Sequence, residues 1–216
     1  MTAKGNLSPE ELLSRAAAGD EEAFALLYRQ LQGGVYRFAL QMSGNQNIAE
    51  EVVQEVFMVL IRDSKRFDPA RGALQSFLYG VARNHVLRCI ERDTRYVPVG
   101  DDQASMEERL RRGASAVHRE VAAGDFSDEL VRRETVGRVR QAVLALPAYY
   151  REVVVLCELQ GMSYEEAARV IGCAIGTVRS RLHRARELLQ AKLRVLGPRS
   201  GEKGVSAQQL EVRGRA

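Results

Sequence analysis

The sequence contains no tryptophan, and only 6% of its residues are aromatic. Its three cysteines, Cys89, Cys157 and Cys173, form an odd and widely spaced set. That excludes a disulfide framework, and reduced thiols on helices are expected. No run of 18 apolar residues occurs, which argues against a transmembrane helix and against membrane insertion. The first residues lead directly into Ser8-Pro9-Glu10-Glu11 without the apolar stretch of a signal peptide, so a cytoplasmic location is expected. His85, His118 and His183 are far apart, and no HExxH or CxxC pattern includes them. No metal and no cofactor are therefore expected. Paired acids, a nucleophile triad and a glycine-rich nucleotide loop are all missing, so the chain does not read as an enzyme.

What remains is a chain of 216 residues, 45% of them hydrophobic, long enough for one large domain or two small ones. Lysine and arginine total 32 against 28 acids, a net charge of +4. That balance is compatible with a nucleic-acid partner without requiring one.

The apolar spacing predicts an all-α chain. Ser8 caps a helix with proline at its first position and an acid three residues after the cap. Asp20 caps a second helix, on which Phe24, Leu27 and Leu31 share a face. Gly33-Gly34 reads as a break, with a separate helix from Val35 to about Met42. Ile48, Val52, Val56 and Leu60 mark a regular amphipathic helix. A polar loop with Asp68-Pro69 then leads to a long helix from Ala73 to about Asp93.

Composition changes after that helix. From Pro98 to Leu130, eight acids face four arginines and large apolar residues are sparse, as in a tether. The expected division is a first helical domain at 8–96, an acidic linker at 97–128, a second helical domain at 129–196 and a disordered tail at 197–216.

The second domain carries the strongest local signal. Ser163 caps a short helix with Glu166 at the capping-box position, and Ile171-Gly172-Cys173 forms a turn. A basic helix follows, with six basic residues and only Glu187 opposing them between Ala174 and Arg194. Val178, Leu182, Ala185 and Leu189 face inward. Such a unit fits a helix-turn-helix whose second helix enters the major groove, with arginines reaching phosphates. From the residues alone, these arginines also fit a solvated surface helix. A dimeric helix-turn-helix regulator remains the alternative functional reading.

Motifs in both halves resemble the bacterial sigma-70 superfamily, specifically its extracytoplasmic-function (ECF) group. Ala49-Glu50-Glu51-Val52-Val53-Gln54-Glu55-Val56-Phe57 resembles the family's acidic helix. Phe67-Asp68-Pro69 and Phe77-Leu78-Tyr79-Gly80-Val81-Ala82-Arg83-Asn84 resemble its promoter-opening segment. Gly176-Thr177-Val178-Arg179-Ser180-Arg181-Leu182-His183-Arg184-Ala185-Arg186 is similar to its reading helix.

The resemblance implies a dissociable promoter-specificity subunit of core RNA polymerase. It places core binding on Glu50, Glu51, Gln54 and Glu55, against the largest subunit. It places the −10 element on Arg66, Phe67, Asp68, Arg71, Asn84 and Arg88. It places the −35 element on Thr177, Arg179, Ser180, Arg181, Arg184 and Arg186, in a domain that also touches the second-largest subunit. An anti-sigma factor is the implied regulator. The sequence departs from the family pattern at Phe77, in a segment where tryptophan is usual. It departs again at Arg88-Cys89-Ile90-Glu91-Arg92-Asp93, where Glu91 and Asp93 dilute an arginine run.

Overall fold

The computed structural model describes residues 7–95 and 126–195, and all regular structure among them is helical. Helix α1 (Pro9–Ala17) begins in a full capping box: Ser8 and Glu11 satisfy each other's backbone N–H groups. Helix α2 (Glu21–Ser43) is capped by Asp20 and ends at Gly44 in the left-handed region. Helix α3 (Gln46–Arg62) lies beside it, and two short turns (Ser64–Arg66 and Pro69–Arg71) lead to α4 (Leu74–Arg95). The Glu10 carboxylate of α1 accepts a bond from the Leu74 N–H at 3.1 Å, so an anion sits at the positive end of α4.

One sequence expectation fails in this half. Helix α2 runs unbroken through Gly33-Gly34. A glycine inside a helix costs about 1 kcal/mol relative to alanine, and tertiary packing offsets that cost here. A Cβ at Gly34 would lie 3.0 Å from the Tyr79 hydroxyl, so the missing side chain lets α4 approach α2 closely.

In the second half, α5 (Phe126–Leu144) begins inside the stretch expected as linker. Leu146-Pro147 separates it from α6 (Ala148–Val154), which widens into a π-helical turn over Val155–Leu159. Helices α7 (Tyr164–Ile171) and α8 (Ile175–Val195) complete the domain. The rest of the expected linker, and the expected tail, lie outside the described residues.

The two halves share one continuous apolar core. Leu27, Phe38, Leu60, Leu74 and Tyr79 fill the first part, and Leu146, Leu156, Val178 and Leu182 fill the second. Helix α7 packs on α4, and α2 meets both α5 and α6. Half-buried Arg151 of α6 spans the junction: its guanidinium donates to the carbonyls of Met42 on α2, of Leu144 at the end of α5 and of Leu146 beyond it. It thereby serves the unpaired carbonyl ends of two helices at once.

Candidate polymerase and nucleic-acid interfaces

Three groups of predicted residues take distinct places. On α3, Glu50 and Gln54 stand one turn apart on the rim of an apolar groove between α2 and α3. Phe24, Tyr28, Tyr36, Val53, Phe57, Met58 and Ile61 line it. Tyr28 and Phe57 meet edge to face with ring centroids 4.7 Å apart, and Ile61 remains 58% exposed. Such an exposed apolar groove with polar edges is suited to a partner helix. Glu51 turns the other way, toward α4, where its carboxylate meets His85 at 3.3 Å and Arg92 at 3.4 Å. Glu55, one turn further on, is half-buried. Glu50 and Gln54 thus edge the groove, while Glu51 is engaged by α4.

The loop before α4 is built from local contacts. Asp68 accepts the Ala70 N–H at 3.0 Å and pairs with Arg71 at 3.5 Å, which holds the Pro69 turn. Arg66 pairs with Asp63 at 3.7 Å and stays exposed. Phe67 stacks on Phe77 at 5.8 Å, so Phe77 supplies the packing aromatic in this segment. Asn84 and Arg88 are exposed on α4, one turn apart, and the Arg88 guanidinium donates to the Asn84 carbonyl at 3.2 Å. At about 1.5 Å per residue, Asn84 lies roughly 15 Å along the axis from the start of α4.

The reading helix is held by a full capping box on α7, where Ser163 and Glu166 satisfy each other's backbone N–H groups. Hydrogen bonds from the Ser163 backbone and hydroxyl keep Glu166 below its ordinary pKa. Gly172 closes α7 at φ +77°, a conformation that glycine adopts without a steric penalty. Val178, Leu182 and Ala185 are buried as expected, which leaves Arg179, Ser180, Arg184 and Arg186 exposed and Thr177 half-exposed. The Ser180 hydroxyl donates to the Thr177 carbonyl at 3.1 Å, and Arg179 lies over the Tyr164 ring at 6.0 Å. Arg184 pairs with Glu187 at 2.6 Å and Arg186 pairs with Glu158; hydrogen bonds to these acids raise both guanidinium pKa values.

Arg181 differs from its neighbours. It turns inward to Glu152 at 3.1 Å, over the Tyr149 ring. Glu152 is 2% exposed, and its other oxygen accepts from Arg83 of α4 at 2.7 Å. One buried carboxylate therefore joins an arginine of the reading helix to one beside Asn84. Tyr79 and Gln160 form a second bridge at 2.9 Å, extended from Gln160 to Gln41 at 2.8 Å. A third runs from Arg169 of α7 to the Arg71 carbonyl at 2.8 Å. Motif reasoning singled out neither Glu152, Gln160 and Gln41 nor Arg169. The available signal was Glu152 itself, a lone acid among Val153, Val154 and Val155.

Fold and surface together define a bipartite helical DNA-binding protein with a helix-turn-helix. Comparison with known proteins makes this specific. Residues 27–96 match the family Sigma-70 region 2, and residues 137–189 match Sigma-70, region 4. The chain is 32% identical over 195 residues to the ECF RNA polymerase sigma-E factor of Escherichia coli K12, covering 88% of this chain and 96% of that protein. It is 33% identical over 178 residues to the ECF sigma factor SigE of Mycolicibacterium smegmatis, covering 81% of this chain and 64% of that one.

Among solved structures, the sigma factor RpoE bound to the anti-sigma factor NepR from Bartonella quintana aligns with TM-score 0.56 at 26% identity, over 80% of this chain and 97% of that one. CnrH bound to the cytosolic domain of CnrY aligns with TM-score 0.57 at 26% identity, over 85% and 96%. The chain belongs to the sigma-70 superfamily, in its ECF group. It directs RNA polymerase in transcription initiation and is a regulatory subunit without catalysis of its own. Among the described residues, no helix is long and apolar enough to cross a membrane.

Proposed function

We propose that the α2–α3 groove, with Glu50 and Gln54 on its rim, docks a helical element of the largest core subunit. Glu51 and Glu55 contribute from the adjacent face. The Arg66–Arg71 loop then holds unpaired −10 bases, with Asn84 and Arg88 along the neighbouring strand. Bases leaving the duplex lose stacking worth a few kcal/mol, which aromatic and polar contacts must replace. Thr177, Arg179, Ser180, Arg181, Arg184 and Arg186 read the −35 duplex. The observation that carries this reading is the capped α7–α8 unit with Arg179, Arg184 and Arg186 outward.

The bridge through Glu152 adds a condition. Arg181 contacts DNA only after leaving Glu152, so promoter binding competes with the packing between the two halves. An anti-sigma factor, as in the RpoE–NepR complex, would act by covering the groove and the reading helix. Titration of promoter DNA into holoenzyme, paired with a core pull-down, tests the assignments. Arg181→Ala should weaken −35 binding and spare core capture, whereas Glu50→Lys should do the reverse. Unchanged behaviour of either variant in its own assay removes that assignment.

A further inference from the structure

Glu51 of α3 and His85 and Cys89 of α4 bring a carboxylate, an imidazole and a thiol together, with ligand atoms all within 4.8 Å of one another. His85 and Cys89 are four residues apart, so they share one face of α4. Glu51 faces them across the helix junction. Its Oε1 lies 3.3 Å from His85 Nε2 and 3.8 Å from Cys89 Sγ.

These distances can be compared with a real coordination sphere. Tetrahedral zinc binds carboxylate oxygen and imidazole nitrogen at about 2.0 Å and thiolate sulfur at about 2.3 Å, which sets O···N near 3.3 Å and O···S near 3.5 Å. The two distances from Glu51 thus stand within a few tenths of an ångström of that sphere, and His85 and Cys89 have only to close from within 4.8 Å of one another. Cys89 is 2% exposed and the His85 side chain 16%, whereas the Glu51 side chain is 44% exposed. Two ligands come from the core wall and the third from the surface, which leaves a fourth position toward solvent. The site also already attracts a cation: Arg92 Nη2 lies 3.4 Å from Glu51 Oε2 and 3.9 Å from Cys89 Sγ. The Arg92 side chain is 55% exposed and can turn away into water.

We propose that Glu51, His85 and Cys89 form a binding site for a zinc-class divalent ion at the α3–α4 junction. The mixed oxygen, nitrogen and sulfur donors favour zinc or cobalt(II) over magnesium or calcium. On binding, the Cys89 thiol releases its proton to solvent, His85 donates the Nε2 lone pair with its proton on Nδ1, and Arg92 leaves. His85 Nδ1 is buried without a hydrogen-bond partner among the described residues. A ligand histidine lacking that outer partner loses about 10–100-fold in affinity. The site therefore loads and unloads with metal supply, and when loaded it ties α3 to α4.

The test is titration of the reduced full-length protein with cobalt(II), read by the near-ultraviolet thiolate-to-cobalt band and competed with zinc. One saturable band is expected. Glu51→Gln, His85→Gln and Cys89→Ser should each weaken binding at least tenfold, while Cys157→Ser/Cys173→Ser leaves it unchanged. Arg92→Ala should tighten it. Glu51→Gln alters a solvent-facing group, so it remains decisive even where a buried substitution perturbs folding. The absence of a thiolate–cobalt band, its survival in Cys89→Ser, or undiminished affinity in Glu51→Gln overturns the proposal. None of these readouts involves polymerase or DNA.

Discussion

Glu152 is the one buried charged residue among the described residues. Its carboxylate is buried, while its partners Arg83 and Arg181 are 19% and 30% exposed. Removing one partner of a buried pair costs about 3–5 kcal/mol when the remaining charge is stranded. Here the two arginines can rotate into water, so Glu152→Gln should cost less, about 1–3 kcal/mol, by urea denaturation. The same change frees Arg181 and should strengthen binding of the free protein to −35 duplex, read by fluorescence anisotropy. Weaker duplex binding by a folded Glu152→Gln would contradict the competition between packing and reading.

A second residue-scale prediction concerns acid. Hydrogen bonds from Ser163 hold Glu166 below its ordinary value of 4.5. For Glu51, burial pushes upward, but bonds from His85 and Arg92 outweigh it and the net direction is also down. A lowered carboxylate pKa contributes stability above the unfolded value, and that contribution is lost as pH falls through the folded one. The urea midpoint should therefore decline below about pH 4.5. Glu166→Gln should flatten part of that decline and lower the neutral plateau.

At the scale of elements, helix starts were legible because their signals are local. Ser8, Asp20 and Ser163 each cap the helix that sequence reading assigned to them. Ser163→Ala should cost about 1 kcal/mol in thermal unfolding, because it removes the hydroxyl that accepts from the Glu166 N–H, while the backbone N–H of residue 163 keeps its bond to the Glu166 carboxylate. Leu182→Ala, at a site 1% exposed, should cost about 2–5 kcal/mol. The same local logic misjudged Gly33-Gly34, where the deciding partner, Tyr79, is more than 40 residues away in the chain. It also could not divide the acidic helix into a groove-facing pair, Glu50 and Gln54, and an α4-facing Glu51. That division depends on where α2 and α4 pack. The metal-binding cluster escaped for a related reason. His85 and Cys89 lie at helical spacing, but their third ligand is 34 residues from His85 on another helix, outside any contiguous motif.

At the scale of the whole molecule, two halves that motif reading treated as separate modules close on one another. Arg151, Glu152, Gln160 and Arg169 all reach from the second half to the first. Motif reading gave none of them a contact across the halves, because contacts between domains leave no periodic trace in sequence. With the two halves closed, Arg181 is held by Glu152, so we predict that core polymerase opens the pair before both DNA elements are read, and tethering then raises the joint affinity of two modest readers.

The most direct measurement is run-off transcription from a pool of promoter fragments, with purified core RNA polymerase in the presence and absence of this protein. Discrete start sites that require both components, and that fade when Arg181→Ala replaces the native chain, are the predicted result. No transcripts and no core binding, together with tight binding of the protein alone to a palindromic duplex, would contradict the account.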